Sequence, residues 1–162
     1  MRSIDYVLHR NDVETRNPLL MTALEATSNA VLITDHNACI EWINPAFTEL
    51  TGFTLQEVLG KRPKDLLKSG VHNEAFYEQM WQTLLKEEHW EGELVNRRKD
   101  GNFYNAHVSI SPVFNKYGLL SGYVQMQRDI TDSVVLLAIS EALQYNEPLD
   151  ERFKQVTDIL FN

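Results

Sequence analysis

Three side chains in the second half of the chain have the type and spacing to hold a ligand: the indole of Trp90 and the amides of Asn96 and Gln127. Side chains alternate between the two faces of a strand, so Trp90, Leu94 and Asn96 share one face. Ala106, Val108 and Ile110 share a face on the next β-run, and Tyr123, Gln125 and Gln127 on the last. Each amide carries a donor and an acceptor, and a few amides in an apolar wall are how a small-molecule pocket orients its guest. The same wall also suits a plain core, with Trp90 as packing, Asn96 as a strand-end cap and Gln127 as a buried amide. Met80 and Trp81 sit at helical spacing in a preceding segment and are candidates on the same terms. Lys64 and Lys68 suit an anionic portion of a ligand, or plain solvation.

Other chemistries find little support. The histidines, His9, His36, His72, His89 and His107, show no metal-type pair spacing. There is no Gly-x-Ser-x-Gly elbow, and Gly60-Lys61 is not a phosphate loop, so no enzyme is expected in this segment. The single cysteine, Cys39, precludes an internal disulfide and fits a reducing cytoplasm. A net charge of −8 argues against a nucleic-acid surface. The one tight basic cluster, Arg97-Arg98-Lys99, abuts Asp100 and reads as a solvated hairpin end. No apolar run approaches the roughly 20 residues of a membrane span, and the N-terminus lacks the apolar core of a signal peptide.

The elements that must position these residues follow from periodicity. Residues 1–21 form a polar lead-in running into a cap helix, with Leu19, Leu20, Ala23, Leu24 and Thr27 at helical spacing. Ala30–Thr34 and Cys39–Ile43 are short β-runs joined by a turn at Asp35-His-Asn37. Asn44 stands where an N-cap belongs, with Pro45 at the first helical position and Gly52 ending the turn. Leu55–Leu59 and Pro63–Leu67 allow one or two helical turns each. Asn73–Glu88 is the main helix, with Phe76, Tyr77, Met80, Trp81, Leu84 and Leu85 on one broad stripe. Strands follow at about 89–99, 102–113 and 119–130, with hairpin turns at Lys99-Asp-Gly-Asn102 and Asn115-Lys-Tyr-Gly118. The order β-β-helices-β-β-β predicts an α+β fold with a five-stranded antiparallel sheet and helices on one face. Beyond Thr131, Leu136, Ile139 and Leu143 have coiled-coil seam spacing, Asn146 is the next seam position and Pro148 breaks the helix.

Several pieces together resemble the PAS superfamily: Ile33-Thr-Asp35, Trp42-Ile-Asn-Pro-Ala-Phe47, Leu50-Thr-Gly-Phe53, Glu57-Val-Leu-Gly60, Asn96-Arg-Arg-Lys-Asp-Gly101, Ile110-Ser-Pro112 and Arg128-Asp-Ile-Thr131. The resemblance covers about residues 22–131. From Lys68-Ser-Gly70 through Trp81 and Trp90 to Asn96 the chain is similar to flavin-containing redox sensors of the nitrogen-fixation regulatory flavoprotein and aerotaxis receptor type. That resemblance implies non-covalent FAD whose redox state controls a downstream effector. Light-oxygen-voltage photosensors share the fold and bind flavin nucleotides through a reactive cysteine and three amides. Their cysteine position falls on Pro63 here, and Cys39 lies on a distant strand. Their first amide matches Asn96 and their third Gln127, while the second falls on Ala106. Asn105 is one residue off and faces the other way. Haem-binding relatives take a histidine from the main helix, which His72 and His89 flank without entering.

The resemblance therefore implies a cytoplasmic PAS sensory domain that binds FAD (FMN or an empty pocket being the alternatives) through Trp90, Asn96, Gln127, Leu94, Ala106, Met80 and Trp81. It would report redox state or oxygen. Gln127 is expected to answer a change of protonation on the ring by rotating its amide, and to pass the change through Asp129-Ile-Thr131 to the following helix. The expected organisation is a sensory domain at 22–131, a connector helix at 132–147 that pairs into a homodimer, and from 148 the start of a further, GAF-like domain, as if the chain were cut from a longer protein. A kinase- or cyclase-type effector would then receive the signal. A ligand-free dimerisation module and a cysteine-less blue-light flavin sensor are the other readings.

Overall fold

The computed structural model describes residues 18–144 together with Lys154 and Asp158. The lead-in up to residue 17, the seam position Asn146, Pro148 and, apart from those two helical positions, the helix expected at 149–161 with its GAF-like assignment lie outside the described residues. Helix α1 (Pro18–Ala26) leads into strands β1 (Ala30–Asp35) and β2 (Ile40–Ile43). Four helices follow: α2 (Pro45–Thr51), α3 (Leu55–Val58), α4 (Pro63–Leu67) and α5 (Glu74–Leu85). Strands β3 (Trp90–Arg97), β4 (Phe103–Phe114) and β5 (Leu120–Asp129) complete the sheet, and α6 (Thr131–Gln144) leaves it.

The spatial order is β2-β1-β5-β4-β3, with every neighbouring pair antiparallel. This is the α+β arrangement with one five-stranded sheet that the element order predicts. The helical crossover from β2 to β3 runs from one sheet edge to the other and covers the inner face. Ala30 and Leu32 of that face pack with Phe47, Val58 and Leu67 from α2, α3 and α4. Leu94, Ala106, Val108, Ile110 and Tyr123 pack with Leu84 of α5. Burying one such large apolar side chain is worth about 1.5–3 kcal/mol, so this face holds the domain together.

Asn44 is the joint of the first half. Its Oδ1 accepts from the amides of Phe47 at 3.0 Å and Val31 at 2.8 Å. Its Nδ2 donates to the carbonyls of Leu24 at 3.0 Å and Asn29 at 2.9 Å. One buried side chain thus caps α2, pins β1 and holds the end of α1, with all of its hydrogen-bonding capacity used.

The hairpin corners share one pattern. Ala38 N donates to Asp35 O, Gly101 N to Arg98 O and Gly118 N to Asn115 O, each at 3.0 Å. The third loop residue is left-handed in each, with φ of 63, 92 and 74°. Such three-residue loops carry a left-handed residue before the chain re-enters the ladder. The corner between β3 and β4 starts at Arg98, one residue earlier than the spacing predicts, because Lys99 N is engaged by Thr51 O at 2.8 Å. Helix α5 also ends earlier than expected, at Leu85, with Glu87 left-handed after it at φ 61°.

Candidate functional site

Helix α5 stands off the sheet. Asn73 caps its start by accepting from Phe76 N at 3.0 Å. Of the expected apolar stripe only Leu84 is fully buried, Phe76, Tyr77, Met80 and Trp81 are half-buried, and Leu85 is exposed. Between this helix, α4 and the inner sheet face lies a cavity of about 670 Å³. Leu32, Leu94, Val108 and Ile110 supply its apolar wall, and Met80 and Trp81 face them. Exposed residues on its rim include Arg62, Lys64, Lys68, Glu74 and Glu78.

The candidate residues divide by place. Met80, Trp81, Leu94 and Asn96 line the cavity, as do Lys64 and Lys68. Ala106 and Gln127 are buried on the same face, in the layer of the sheet core. Trp90 lies to one side, against Phe76 at 6.1 Å between ring centroids. Its indole lies over Gly92, close enough that a Cβ there would stand 2.8 Å from the ring. Register places Ala106 opposite Leu94, on the inner face, while Asn105 points outward. The backbone of Asn105 serves instead as a tie, its N donating to Thr131 Oγ1 at 3.0 Å and its O accepting from Ile130 N at 2.8 Å.

The sheet pairing brings Asn96 and Gln127 into contact. Asn96 Nδ2 donates to Gln127 Oε1 at 3.3 Å. Tyr104, paired with Asn96 across the β3–β4 ladder, donates its hydroxyl to the same oxygen at 2.9 Å. Two donors therefore converge on one acceptor, and Gln127 Nε2 is left without a partner. Tyr77 Oη, on the helix side, is the other buried side-chain polar atom without one among the described residues. Leaving such a group unpaired costs about 1–3 kcal/mol and calls for an explanation.

Tyr104 escaped the sequence reading, although it lies two residues before Ala106 on the same face. Burial pushes its phenol up to about 12, so it remains a donor at physiological pH. The guanidinium of Arg98 lies over its ring, 4.5 Å from the centroid. Arg98 also meets Leu50 O, and its Nη2 lies 2.6 Å from Asp129 Oδ2. Asp129 accepts from both the amide and the hydroxyl of Thr131, at 2.9 and 2.5 Å. Burial raises the Asp129 carboxyl, but those hydrogen bonds and Arg98 outweigh it and hold the group below its usual range.

The segment between α4 and α5 closes over the edge of β3. Ser69 Oγ donates to Val95 O at 2.6 Å, and Val95 N donates to His72 Nε2 at 2.8 Å. Lys68 forms an isolated bridge with Asn96 and sets its Nζ 4.6 Å from the Tyr77 ring centroid. Among the described residues no cluster of His, Cys, Asp or Glu has metal-holding geometry. Nor is any helix there long and apolar enough to cross a membrane.

An isoalloxazine ring needs apolar contacts on its faces and amide donors and acceptors at its edge. The residues fit that demand: an apolar slot, the coupled amides of Asn96 and Gln127, and two buried polar atoms with unused capacity. The cavity volume also lies within the range of about 300–1,000 Å³ typical of cofactor pockets.

The chain is 38% identical over 154 residues to a nitrogen fixation regulatory protein of Klebsiella oxytoca, covering 88% of this chain and 31% of that protein. It is 32% identical over 114 residues to the aerotaxis receptor of Escherichia coli K12, covering 70% of this chain and 22% of the receptor. The chain thus spans less than a third of either relative. In fold it is similar to an RNA-binding light-oxygen-voltage receptor, with a TM-score of 0.68 at 24% identity over 88% of this chain and 36% of that one. The family model described as "PAS domain" matches residues 28–132, and the chain belongs to that family.

Proposed function

We propose that this PAS domain holds FAD non-covalently in the cavity and reports redox state or oxygen through α6 to an effector of the kinase or cyclase type. The observation that carries this reading is the converging amide pair beside an apolar slot, with Gln127 Nε2 unpartnered. Similarity to a nitrogen fixation regulatory protein and an aerotaxis receptor supports a regulatory setting. A bound flavin supplies reversible exchange of electrons and protons. Asn96 and Gln127 orient the edge of the ring, and Leu94, Val108, Met80 and Trp81 sandwich it and exclude water. Lys64 and Lys68, which line the same cavity, meet the phosphates. Turning the Gln127 amide exchanges donor for acceptor at that edge, which lets the sheet answer a change in the ligand's protonation. The sensory unit runs over residues 22–131 and the connector over 132–147, pairing with a second copy through the terminal helices. The domain then acts as a sensor rather than an enzyme.

The blue-light alternative draws on the likeness of fold to light-oxygen-voltage receptors. Pro63 stands where their reactive cysteine falls, so a light response would not use an adduct at that position. Cys39, expected on a distant strand, instead sits in the β1–β2 corner next to Ala38, which lines the cavity.

The test is the absorption spectrum of the purified protein after incubation with FAD and with FMN. Retention of the two-banded flavin spectrum, with preference for FAD and bleaching by mild reductant in the dark, is the expected result. A colourless protein that takes up neither nucleotide would leave the ligand-free dimerisation module. Bleaching only under illumination would favour the light sensor.

A further inference from the structure

We propose that Tyr104 is the positioning residue that couples the Asn96–Gln127 amide pair, of which Asn96 lines the cavity, to the first turn of α6. The reading of α6 as the output gives this coupling its purpose, but the contacts themselves stand without a ligand. Gln127 and Thr131 do not touch. Between them lies one continuous chain of polar contacts: Gln127 Oε1 to Tyr104 Oη at 2.9 Å, the Tyr104 ring under Arg98 at 4.5 Å, Arg98 to Asp129 at 2.6 Å, and Asp129 to Thr131 N and Oγ1. Thr131 Oγ1 in turn accepts from Asn105 N, on the strand that carries Tyr104.

The chain has two settings because an amide has two ends. In the setting described, Gln127 Oε1 accepts from both Asn96 and Tyr104. If Gln127 turns over, its Nε2 faces both of those groups. Asn96 must then turn too, since two NH₂ groups cannot hydrogen-bond each other, whereas a phenol can change from donor to acceptor without moving. A phenol that donates has a more electron-rich ring and holds a stacked cation more tightly; one that accepts holds it less tightly. The grip on Arg98, and through it the orientation of Asp129 at the helix start, therefore follows the sense of the Gln127 amide. Arg98 suits this part because a planar guanidinium can stack on a ring and bind a carboxylate together, which an ammonium does less well.

The test needs no ligand. Amide hydrogen exchange is followed across the 162-residue chain for Tyr104→Phe, Asp129→Asn and the double variant. Tyr104→Phe keeps the ring and removes the hydroxyl. Exchange in the first turns of α6, at Val134 and Val135, is expected to rise by roughly fivefold, while the β1–β5 ladder stays protected. The double variant should exchange no faster than Asp129→Asn alone, because both changes cut one chain of contacts. A Tyr104→Phe effect that is absent, or that multiplies in full on that of Asp129→Asn, would overturn the proposal. If Tyr104→Phe loosens the whole sheet, Arg98→Lys replaces it: the charge near Asp129 remains but the flat stack is lost, and the same non-additive rise is expected. Uptake of FAD by the same samples is read separately. Its failure would defeat the flavin reading and leave the exchange result to decide the coupling.

Discussion

At His72 an imidazole serves as a hydrogen-bond acceptor. Its Nε2 takes the amide of Val95, and its ring stacks on Phe76 at 4.4 Å. Burial holds its pKa below the ordinary value, so the folded protein favours the neutral ring. The sign follows by linkage: below the unfolded pKa of about 6.5 the unfolded chain takes a proton that the folded one resists, and stability falls as pH drops through that window toward the folded value. His72→Gln keeps an acceptor without a titrating group. From about pH 7.5 to about pH 5.5 the urea midpoint of the wild type should fall more than that of His72→Gln; equal slopes would show that His72 does not contribute. The sequence left this role hidden, since the partner of His72 is a backbone amide 23 residues away. Asn96, Gln127 and Ala106 were legible because strand alternation alone sorts faces. Tyr104 was missed because a tyrosine on a core face reads as packing, and the acceptor of its hydroxyl lies on the next strand, 23 residues away. Trp90 shows the converse: its face was predictable, but its rotamer, lying over Gly92 and against Phe76, was not.

Among the elements, the central β1–β5 pair leaves least room. Gly122 pairs with Asp35, and a Cβ built on it would stand 1.9 Å from the carbonyl oxygen of Thr34. Backbone cannot move aside as a side chain does, so Gly122→Ala should cost about 3 kcal/mol, at the upper end of overpacking. Gly101→Ala meets no atom within 4 Å and bears only the strain of its φ of 92°. That strain is worth about 1–2 kcal/mol. Urea denaturation of the two variants should rank them in that order, and the reverse order would contradict the close approach. Most element boundaries were readable from caps and turn residues. Asn44, Pro45, Gly52 and Asn73 stand at the positions their chemistry prefers. The C-terminal end of α5 stops short at the left-handed Glu87, and the β3–β4 corner shifted because Thr51 O holds Lys99 N, a tertiary contact that local patterns cannot carry.

For the molecule as a whole, the terminal helices are the unfinished surface. Leu19 is 76% exposed on α1, and Leu136 and Leu143 are 66% and 61% exposed on α6. The seam spacing of the exposed Leu136, Ile139 and Leu143 suits a second helix, which is the basis for the proposed pairing. Replacing Leu136 and Leu143 together by Glu should lower the light-scattering mass from dimer to monomer without changing flavin uptake. A wild type that is already monomeric at high concentration would refute the pairing. One five-stranded antiparallel sheet with helices on one face was implied by the order of elements, whereas the spatial order β2-β1-β5-β4-β3, and the stand-off of α5 with its cavity, depended on tertiary packing that no periodicity encodes.

The chain enters and leaves the sheet through neighbouring central strands, with Ala30 paired to Gln127 at the end where α1 and α6 attach. Tension applied between those helices would therefore act as an unzipping force, breaking the ladder rung by rung instead of shearing all its bonds together. The first rung loaded holds Gln127, so a mechanical pull on the connector would reach the hydrogen-bond partner of the cavity-lining Asn96 before any other part of the β1–β5 ladder.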